Sequence, residues 1–347
     1  MEESRRGRPT LSLVLPIYNE QEVIAELHKR LQEFLEKLAM PAEVLFVDDG
    51  SKDRSKALLR EVALGEPRYR ILSFARNFGH QTAITAGVDY ARGHAVVVMD
   101  ADLQDPPEVV LEMVAKWREG FDVVYGRRRK REGETWFKLV TARVFYRLFA
   151  AMIPIEVPLD TGDFRLMSRS VVVALRQLRE THRFVRGMVA WVGFKQTEVL
   201  YDRPGRFAGD TKYPLRKMVR FALDGITSFS ILPLRFATYL GMVTIVASIG
   251  VVAWALVSKY ALHHVVEGWT GIMIVVAVFA SVQLLMIGIL GEYVGRIYEE
   301  VKRRPLYVVG DTVNLRPDDD EPVDPPRPDP HADEPTRNER KARSSAS

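Results

Sequence analysis

Ala95-Val96-Val97-Val98-Met99-Asp100-Ala101-Asp102-Leu103-Gln104-Asp105-Pro106-Pro107 carries the pattern from which the fold follows. Five unbroken apolar residues suit a strand covered on both faces, as in a parallel sheet with helices above and below. Two carboxylates one residue apart then leave the strand, and the paired prolines open a helix. Carboxylates so spaced can share one hard cation that also meets a diphosphate, which is how Mg²⁺ or Mn²⁺ is usually held. An Asp-x-Asp alone is a weak signal. The buried strand before it makes the functional reading the stronger one.

Working outward, strand-like runs at Leu11–Leu15, Glu43–Val47, Arg70–Phe74, Ala95–Met99 and Asp122–Tyr125 alternate with helical stretches near Glu22–Leu38, Ser55–Ala63, Gln81–Ala91 and Pro107–Glu119. This alternation predicts an α/β fold with a doubly wound, mostly parallel sheet. Ligands in such sheets bind beyond the carboxyl ends of the strands. Four polar clusters fall there: Tyr18-Asn19-Glu20, Asp48-Asp49-Gly50-Ser51, Arg76-Asn77 and Asp100-Ala101-Asp102. One would be an ordinary turn, but four at one rim make a site. Carboxylates at Asp48 and Asp49 can accept hydrogen bonds from a nucleobase or ribose, and Gly50 permits close backbone approach.

These motifs in order, Pro16-Ile17-Tyr18-Asn19-Glu20, Asp48-Asp49-Gly50-Ser51, Arg76-Asn77-Phe78-Gly79, Asp100 to Pro106 and Asp160-Thr161-Gly162-Asp163-Phe164-Arg165, resemble the bacterial relatives of dolichyl-phosphate mannose and glucose synthases. Those are inverting glycosyltransferases of family 2 with the A-type nucleotide-sugar fold. The resemblance runs from about Leu11 to Leu315. It implies that Pro16, Tyr18, Glu20 and Asp49 line a nucleoside pocket with Asp48 beside them, and that Asp100, Asp102 and Gln104 surround a metal, Mg²⁺ or Mn²⁺, and the donor diphosphate. It further implies that Asp163 is the carboxylate usually proposed as base, that Arg127 and Arg128 lie near the sugar and acceptor phosphate, and that Arg206 and Lys212 close over the phosphates. An acceptor phosphate already carries an oxyanion near neutral pH, however, so a base has less to contribute here than the usual ~10²–10⁴-fold. Asp163 could instead position a basic residue or repel a misplaced donor phosphate.

Two apolar runs follow. Phe236 to Val257 has no charge, and Trp269 to Leu290 is interrupted only by Gln283 and a few hydroxyls. At 1.5 Å per residue each reaches about 33 Å, enough for a hydrocarbon core of ~30 Å. Arg216, Lys217, Arg220 and Arg235 precede the first run, and Arg296, Lys302, Arg303 and Arg304 follow the second. The positive-inside rule then places both chain ends and the catalytic domain on the cytoplasmic side of the inner membrane, with two spans. The basic start, Met1 to Pro9, lacks the long apolar stretch of a signal peptide.

The expected organisation is an N-terminal extension over 1–10, a glycosyltransferase domain over 11–213, an interfacial amphipathic helix over 214–232, a transmembrane hairpin over 233–295, a cytoplasmic segment over 296–315 and a disordered tail over 316–347. The net charge is +4 over the whole chain and −4 from Asp318 onward, leaving a body of +8. A basic body suits phosphate ligands or an anionic membrane surface. With no cysteine, disulfides, thiolate chemistry and cysteine-held zinc are excluded. No nucleic-acid motif is present, and no Gly-x-Gly-x-x-Gly follows the first strand, which disfavours a dinucleotide oxidoreductase. A processive polysaccharide synthase would need more spans and a Gln-x-x-Arg-Trp signature.

The expected reaction transfers a sugar, glucose from UDP-glucose first, from a UDP- or GDP-linked donor to a polyprenyl phosphate. Mannose, N-acetylhexosamine and a modified arabinose are the alternatives, and a non-catalytic nucleotide-sugar-binding scaffold is the reading from another class. A homo-oligomer, dimer or tetramer, is compatible with the resemblance.

Overall fold

The computed structural model describes residues 9–129, 161–202, 232–260 and 268–315. The expected interfacial helix, the acidic tail, and Arg206 and Lys212 lie outside the described residues, apart from Leu232.

Strands β1 (Leu11–Ile17), β2 (Ala42–Asp48), β3 (Tyr69–Phe74) and β4 (Ala95–Val98) alternate with helices α1 (Ile24–Lys37), α2 (Ser55–Gly65) and α3 (His80–Tyr90). Then come α4 (Val109–Arg118), β5 (Val123–Arg128), β6 (Thr161–Ser168), α5 (Arg169–Gln177), α6 (Val185–Trp191) and β7 (Gln196–Tyr201). Two long helices, α7 (Leu232–Tyr260) and α8 (Trp269–Val301), precede a last strand, β8 (Val309–Val313). In α1 the spacing of Ile24, Leu27, Leu31, Phe34 and Leu35 gives one apolar stripe, and those five are buried.

The eight strands form one sheet in the order β7-β5-β6-β4-β1-β2-β3-β8. Pairing is parallel along β4-β1-β2-β3 and between β5 and β7. β6 runs antiparallel between β4 and β5, and β8 runs antiparallel along β3. The mostly parallel α/β sheet expected from the alternation is therefore present. Its two antiparallel strands and β7 were not foreseen. β6 contains Gly162, Asp163, Arg165 and Ser168, and this polar content hides it from a search for apolar runs.

Alternate residues of the strands feed two cores. Leu11, Leu13, Leu15 and Ile17 face the side covered by α1, α2 and α4, while Val14 faces α3, α5 and α6. α3 lies so close to the sheet that a Cβ on Gly87 would collide with the Val14 side chain.

Two expected boundaries change. Arg127 and Arg128 do not follow a strand ending at Tyr125 but belong to β5, because pairing with β7 continues through Arg127↔Leu200 and Arg128↔Tyr201. The second is the end of the hairpin expected at 295, since the segment over 296–315 carries regular structure of its own. α8 continues to Val301, and β8 then returns to the sheet edge, with Ile71↔Val313 and Ser73↔Asp311 in register. Asn314 Nδ2 fastens that return by donating to the carbonyls of Ala63 (2.7 Å) and Tyr69 (2.8 Å).

α7 and α8 pack together, with Met286 Cε against the position of Gly241. Each contains a stretch long and apolar enough to cross a membrane, Leu232–Ser258 and Ile274–Val301, and neither apolar window is buried in the protein as a soluble core helix would be.

Candidate active site

The carboxyl rim of β1, β2 and β4 gathers the sequence motifs as expected. Loops after β1 and β2 clasp each other through main-chain donors: Asn19 N to Ser51 Oγ (3.0 Å), Glu20 N to Ser55 Oγ (2.8 Å), Gln21 N to Asp53 Oδ2 (3.2 Å) and Lys52 N to Asn19 Oδ1 (2.8 Å). Asn19 takes a left-handed conformation (φ 56°), which asparagine tolerates. Pro16 sits in β1 opposite Val47, and Tyr18 leaves the strand end 43% exposed.

Asp48 and Asp49 are both buried. Asp48 Oδ1 accepts from Ser51 N at 3.0 Å. Asp49 accepts from Phe78 N (2.6 Å), Gly79 N (3.0 Å) and Asn77 Nδ2 (2.9 Å), so its first role is to hold the 77–79 loop. Burial raises the Asp49 carboxyl from its ordinary value, against the pull of the Phe78 and Gly79 amides. Gly50 makes this approach possible. Its φ is +67°, and a Cβ there would lie 2.5 Å from the Arg76 carbonyl carbon.

At the end of β4, Asp105 organises the Asp-x-Asp turn. Its Oδ2 accepts from Asp100 N (3.2 Å) and its Oδ1 from the Tyr201 hydroxyl (2.7 Å). Asp102 Oδ1 accepts from Gln104 N at 3.1 Å. Between them Leu103 is forced to φ 60°, a strained conformation held by the burial of its side chain. Asp100 Oδ1 is sealed from solvent without a hydrogen-bond donor. Burial, then the Asp105 charge, and beyond it Asp163 and Asp102, push the Asp100 carboxyl up to about 7 despite nearby His80. Among the described residues no three His, Asp or Glu side chains converge as a complete metal cage. The orphaned, crowded Asp100 oxygen beside Asp102 nevertheless fits a hard divalent cation whose remaining ligands come from a diphosphate and water.

Asp163, on antiparallel β6, is brought to the same rim and is buried. Arg186 of α6 grips it with two nitrogens, Nε to Oδ1 at 2.8 Å and Nη2 to Oδ2 at 3.2 Å. Gln81 Nε2 donates to Oδ2 at 3.3 Å, and His80 Nε2 lies 3.3 Å from the same oxygen. Burial alone would raise this carboxyl, but His80, Arg186 and Arg165 together hold it well below the usual carboxylate range. His80 also sits 3.6 Å from Asp100 Oδ1, so one imidazole bridges the two carboxylate groups of the cleft. Desolvation works against its charged form, yet the Asp163 bond and the Asp100 charge raise it above its ordinary value. Arg165 lies beneath, donating to the carbonyls of Gly162 (2.9 Å) and Asp163 (3.3 Å).

The two β5 arginines part ways. Arg127 pairs with Glu198 of β7 at 3.0 and 3.1 Å on the surface, whereas Arg128 reaches the Tyr201 hydroxyl and lies 3.5 Å from where a Cβ on Gly162 would sit. His80, Gln81, Arg186 and Tyr201 were not singled out by sequence. His80 had a usable signal, since it follows Arg76-Asn77-Phe78-Gly79 directly; Arg186 had none.

The chain matches the model of glycosyl transferase family 2 over residues 12–176. It is 52% identical over 298 residues to the uncharacterized glycosyltransferase YkcC of Bacillus subtilis (strain 168), covering 86% of this chain and 92% of that protein. It is 41% identical over 301 residues to the bactoprenol glucosyl transferase of Shigella phage SfII, covering 86% and 97%. Among solved structures it is similar to glucosyl-3-phosphoglycerate synthase from Mycobacterium tuberculosis, in complex with Mn²⁺, uridine diphosphate and glucosyl-3-phosphoglycerate. That likeness has a TM-score of 0.45 and 20% identity, covering 65% of this chain and 80% of the other.

Proposed function

This chain belongs to glycosyl transferase family 2, and from that membership we propose that it transfers glucose from UDP-glucose to a membrane-borne polyprenyl phosphate. The glucosyl and lipid halves of this reading follow the phage relative's name, bactoprenol glucosyl transferase, matched over nearly its full length. The structural observation that carries it is the His80 bridge. The Asp100/Asp102 end of β4 suits a donor diphosphate, and 3.6 Å and 3.3 Å from one imidazole nitrogen lie Asp100 and Asp163, the latter with its arginine. Donor and acceptor groups would thus meet within the reach of one side chain.

In the reaction an acceptor phosphate oxygen forms a bond to the sugar's C1 as the bond from C1 to the donor's diphosphate oxygen breaks. The electron pair leaves with UDP, and attack from the opposite face inverts the anomeric centre. Pro16, Tyr18, Glu20, Asp48 and Asp49 form the nucleoside end. Asp100 and Asp102, with Gln104, would hold Mg²⁺ or Mn²⁺, which when bound supplies charge neutralisation of the departing diphosphate. Asp163, already ionised and saturated by Arg186, Gln81 and His80, is poorly suited to abstract a proton. We assign it to orienting Arg186 and His80 around the acceptor phosphate, whose oxyanion needs little activation. Arg128, and Arg206 and Lys212 from outside the described residues, would complete the phosphate contacts, while Arg127 is held on the surface by Glu198.

The test is incubation of the purified protein with undecaprenyl phosphate and labelled UDP-glucose, UDP-N-acetylglucosamine and GDP-mannose in parallel. Glucosyl lipid from UDP-glucose is the expected product. Transfer from GDP-mannose alone would overturn the sugar assignment, and release of free glucose without lipid product would overturn the acceptor.

A further inference from the structure

Residues 178–184, between α5 and α6, together with Val185 and Arg186 at the start of α6, are fastened at three places. Near the start, Arg179 Nη1 donates to Asp89 Oδ2 at 2.7 Å, and the same oxygen accepts from the Tyr307 hydroxyl at 2.9 Å. Asp89 is buried in the last turn of α3, and Tyr307 stacks on Phe74 with centroids 5.2 Å apart. In the middle, Thr181 N donates to Glu300 Oε2 at 2.9 Å, and His182 Nε2 lies 2.6 Å from a Glu299 oxygen. Both glutamates belong to the last turn of α8. At the far end, Val185 N donates to Gln81 Oε1 at 3.0 Å, and Arg186 grips Asp163. α3 therefore holds the segment at both ends, and the end of the second long apolar helix holds its centre.

We propose that the last turn of α8 positions Arg186, so that the domain-side end of the second long apolar helix sets the geometry around Asp163. This rests on the reading of the cleft as a sugar-transfer centre. Arg186 follows His182 by four positions, at most about 14 Å of extended chain, and Arg183 Nη1, between them, folds back on the Leu178 carbonyl. Little slack remains to absorb a shift at His182, and misplacement of about 1 Å at a reacting centre can cost on the order of a hundredfold in rate. The contacts are poorly placed to serve stability instead. Glu299 and His182 are 51% and 37% exposed, and exposed pairs add little. The sheet is closed separately, by β8 on β3 and by Asn314.

The experiment uses the full chain in liposomes containing polyprenyl phosphate, with the double variant Glu299→Ala/Glu300→Ala and, from the other side of the contact, His182→Ala. We expect kcat for transfer to fall about five- to twentyfold, with KM for UDP-glucose within about twofold and Tm unchanged. A cycle separates positioning from general loosening: in an Arg186→Lys background the same double substitution should cost less than about twofold more, because its route of action is already broken. Unchanged kcat in both variants, or an equal fold-loss in the parent and Arg186→Lys backgrounds, would overturn the proposal. A parent chain that forms no glycolipid would overturn the reaction reading and this inference together, a result distinct from an active parent with indifferent variants.

Discussion

Arg186 meets Asp163 through both ends of its guanidinium fork, Nε to Oδ1 at 2.8 Å and Nη2 to Oδ2 at 3.2 Å, although the two residues come from different layers of the fold. Planar bidentate pairing is something lysine cannot reproduce. Arg186→Lys should therefore lower kcat by about ten- to a hundredfold, the equivalent of one charge-assisted contact of roughly 1.5–3 kcal/mol. UDP binding, which we assign to the β1 and β2 loops, should stay within twofold. Steady-state kinetics with a parallel UDP titration checks the split.

The same pair makes stability depend on pH. Against burial, His80 and Arg186 hold the folded-state carboxyl of Asp163 far below its unfolded value of ~3.9. A depressed pKa contributes stability that is fully present above the unfolded value and is lost progressively as pH falls from there toward the folded value. Melting temperatures of the parent and of Asp163→Asn should thus differ most at pH 6–7 and converge below about pH 4. A constant offset down to pH 3 would show that the charge of Asp163 is not what stabilises.

Much of this was legible in the sequence because its signals are local. Val96, Val97 and Val98 announce a buried strand, and Asp100 and Asp102 must then emerge at its end. The strand-helix alternation likewise located β1 to β5 within a few residues. The rest depends on contacts far apart in the chain. Asp163 joins Asp100 only because β6 inserts antiparallel between β4 and β5, and His80 and Arg186 are 83 and 23 residues from the carboxylate they hold. β8 has five residues, Val-Gly-Asp-Thr-Val, with a glycine and an aspartate inside it, and only the exposed edge of β3 makes it a strand.

Gly50 lies where the loop after β2 meets the 76–79 loop. Gly50→Ala places a methyl 2.5 Å from the Arg76 carbonyl carbon at φ +67°, costing about 1–3 kcal/mol in backbone strain before the clash is added. The 76–79 loop would have to move away and take the Asp49 contacts with it. Both a lower Tm and a weakened affinity for UDP are expected. Retention of parent UDP affinity in a folded Gly50→Ala protein would separate the Asp49 loop from the nucleoside pocket.

The donor-less Asp100 oxygen is where the proposed Mg²⁺ or Mn²⁺ can be tested. EDTA should abolish lipid glucosylation, and Mg²⁺ or Mn²⁺ should restore it. Asp100→Asn should stay folded, since it relieves crowding by Asp105, Asp163 and Asp102, while losing transfer. Calorimetry of Mn²⁺ with the UDP-bound protein gives a readout independent of turnover. Full activity in metal-free buffer would return Asp100 and Asp102 to a purely organising role.

Topology can be argued from the sheet as well as from charge. β8 follows α8 after seven residues and pairs with β3, so the C-terminal side of the second apolar helix lies with the catalytic domain. That domain also precedes α7, so if both helices cross the bilayer they must form a hairpin with its turn on the opposite face. The basic residues Arg296, Lys302, Arg303 and Arg304 near the domain then favour the cytoplasm, where nucleotide-sugars are made available. Because the chain contains no cysteine, single-cysteine variants report cleanly. Tyr260→Cys, at the exposed end of α7, should react with a membrane-impermeant maleimide in intact cells. Lys302→Cys, just past α8, should react only after permeabilisation. Equal protection of both would mean that the helices lie along the membrane surface rather than across it, and the reverse pattern would put the cleft on the side away from its nucleotide donor.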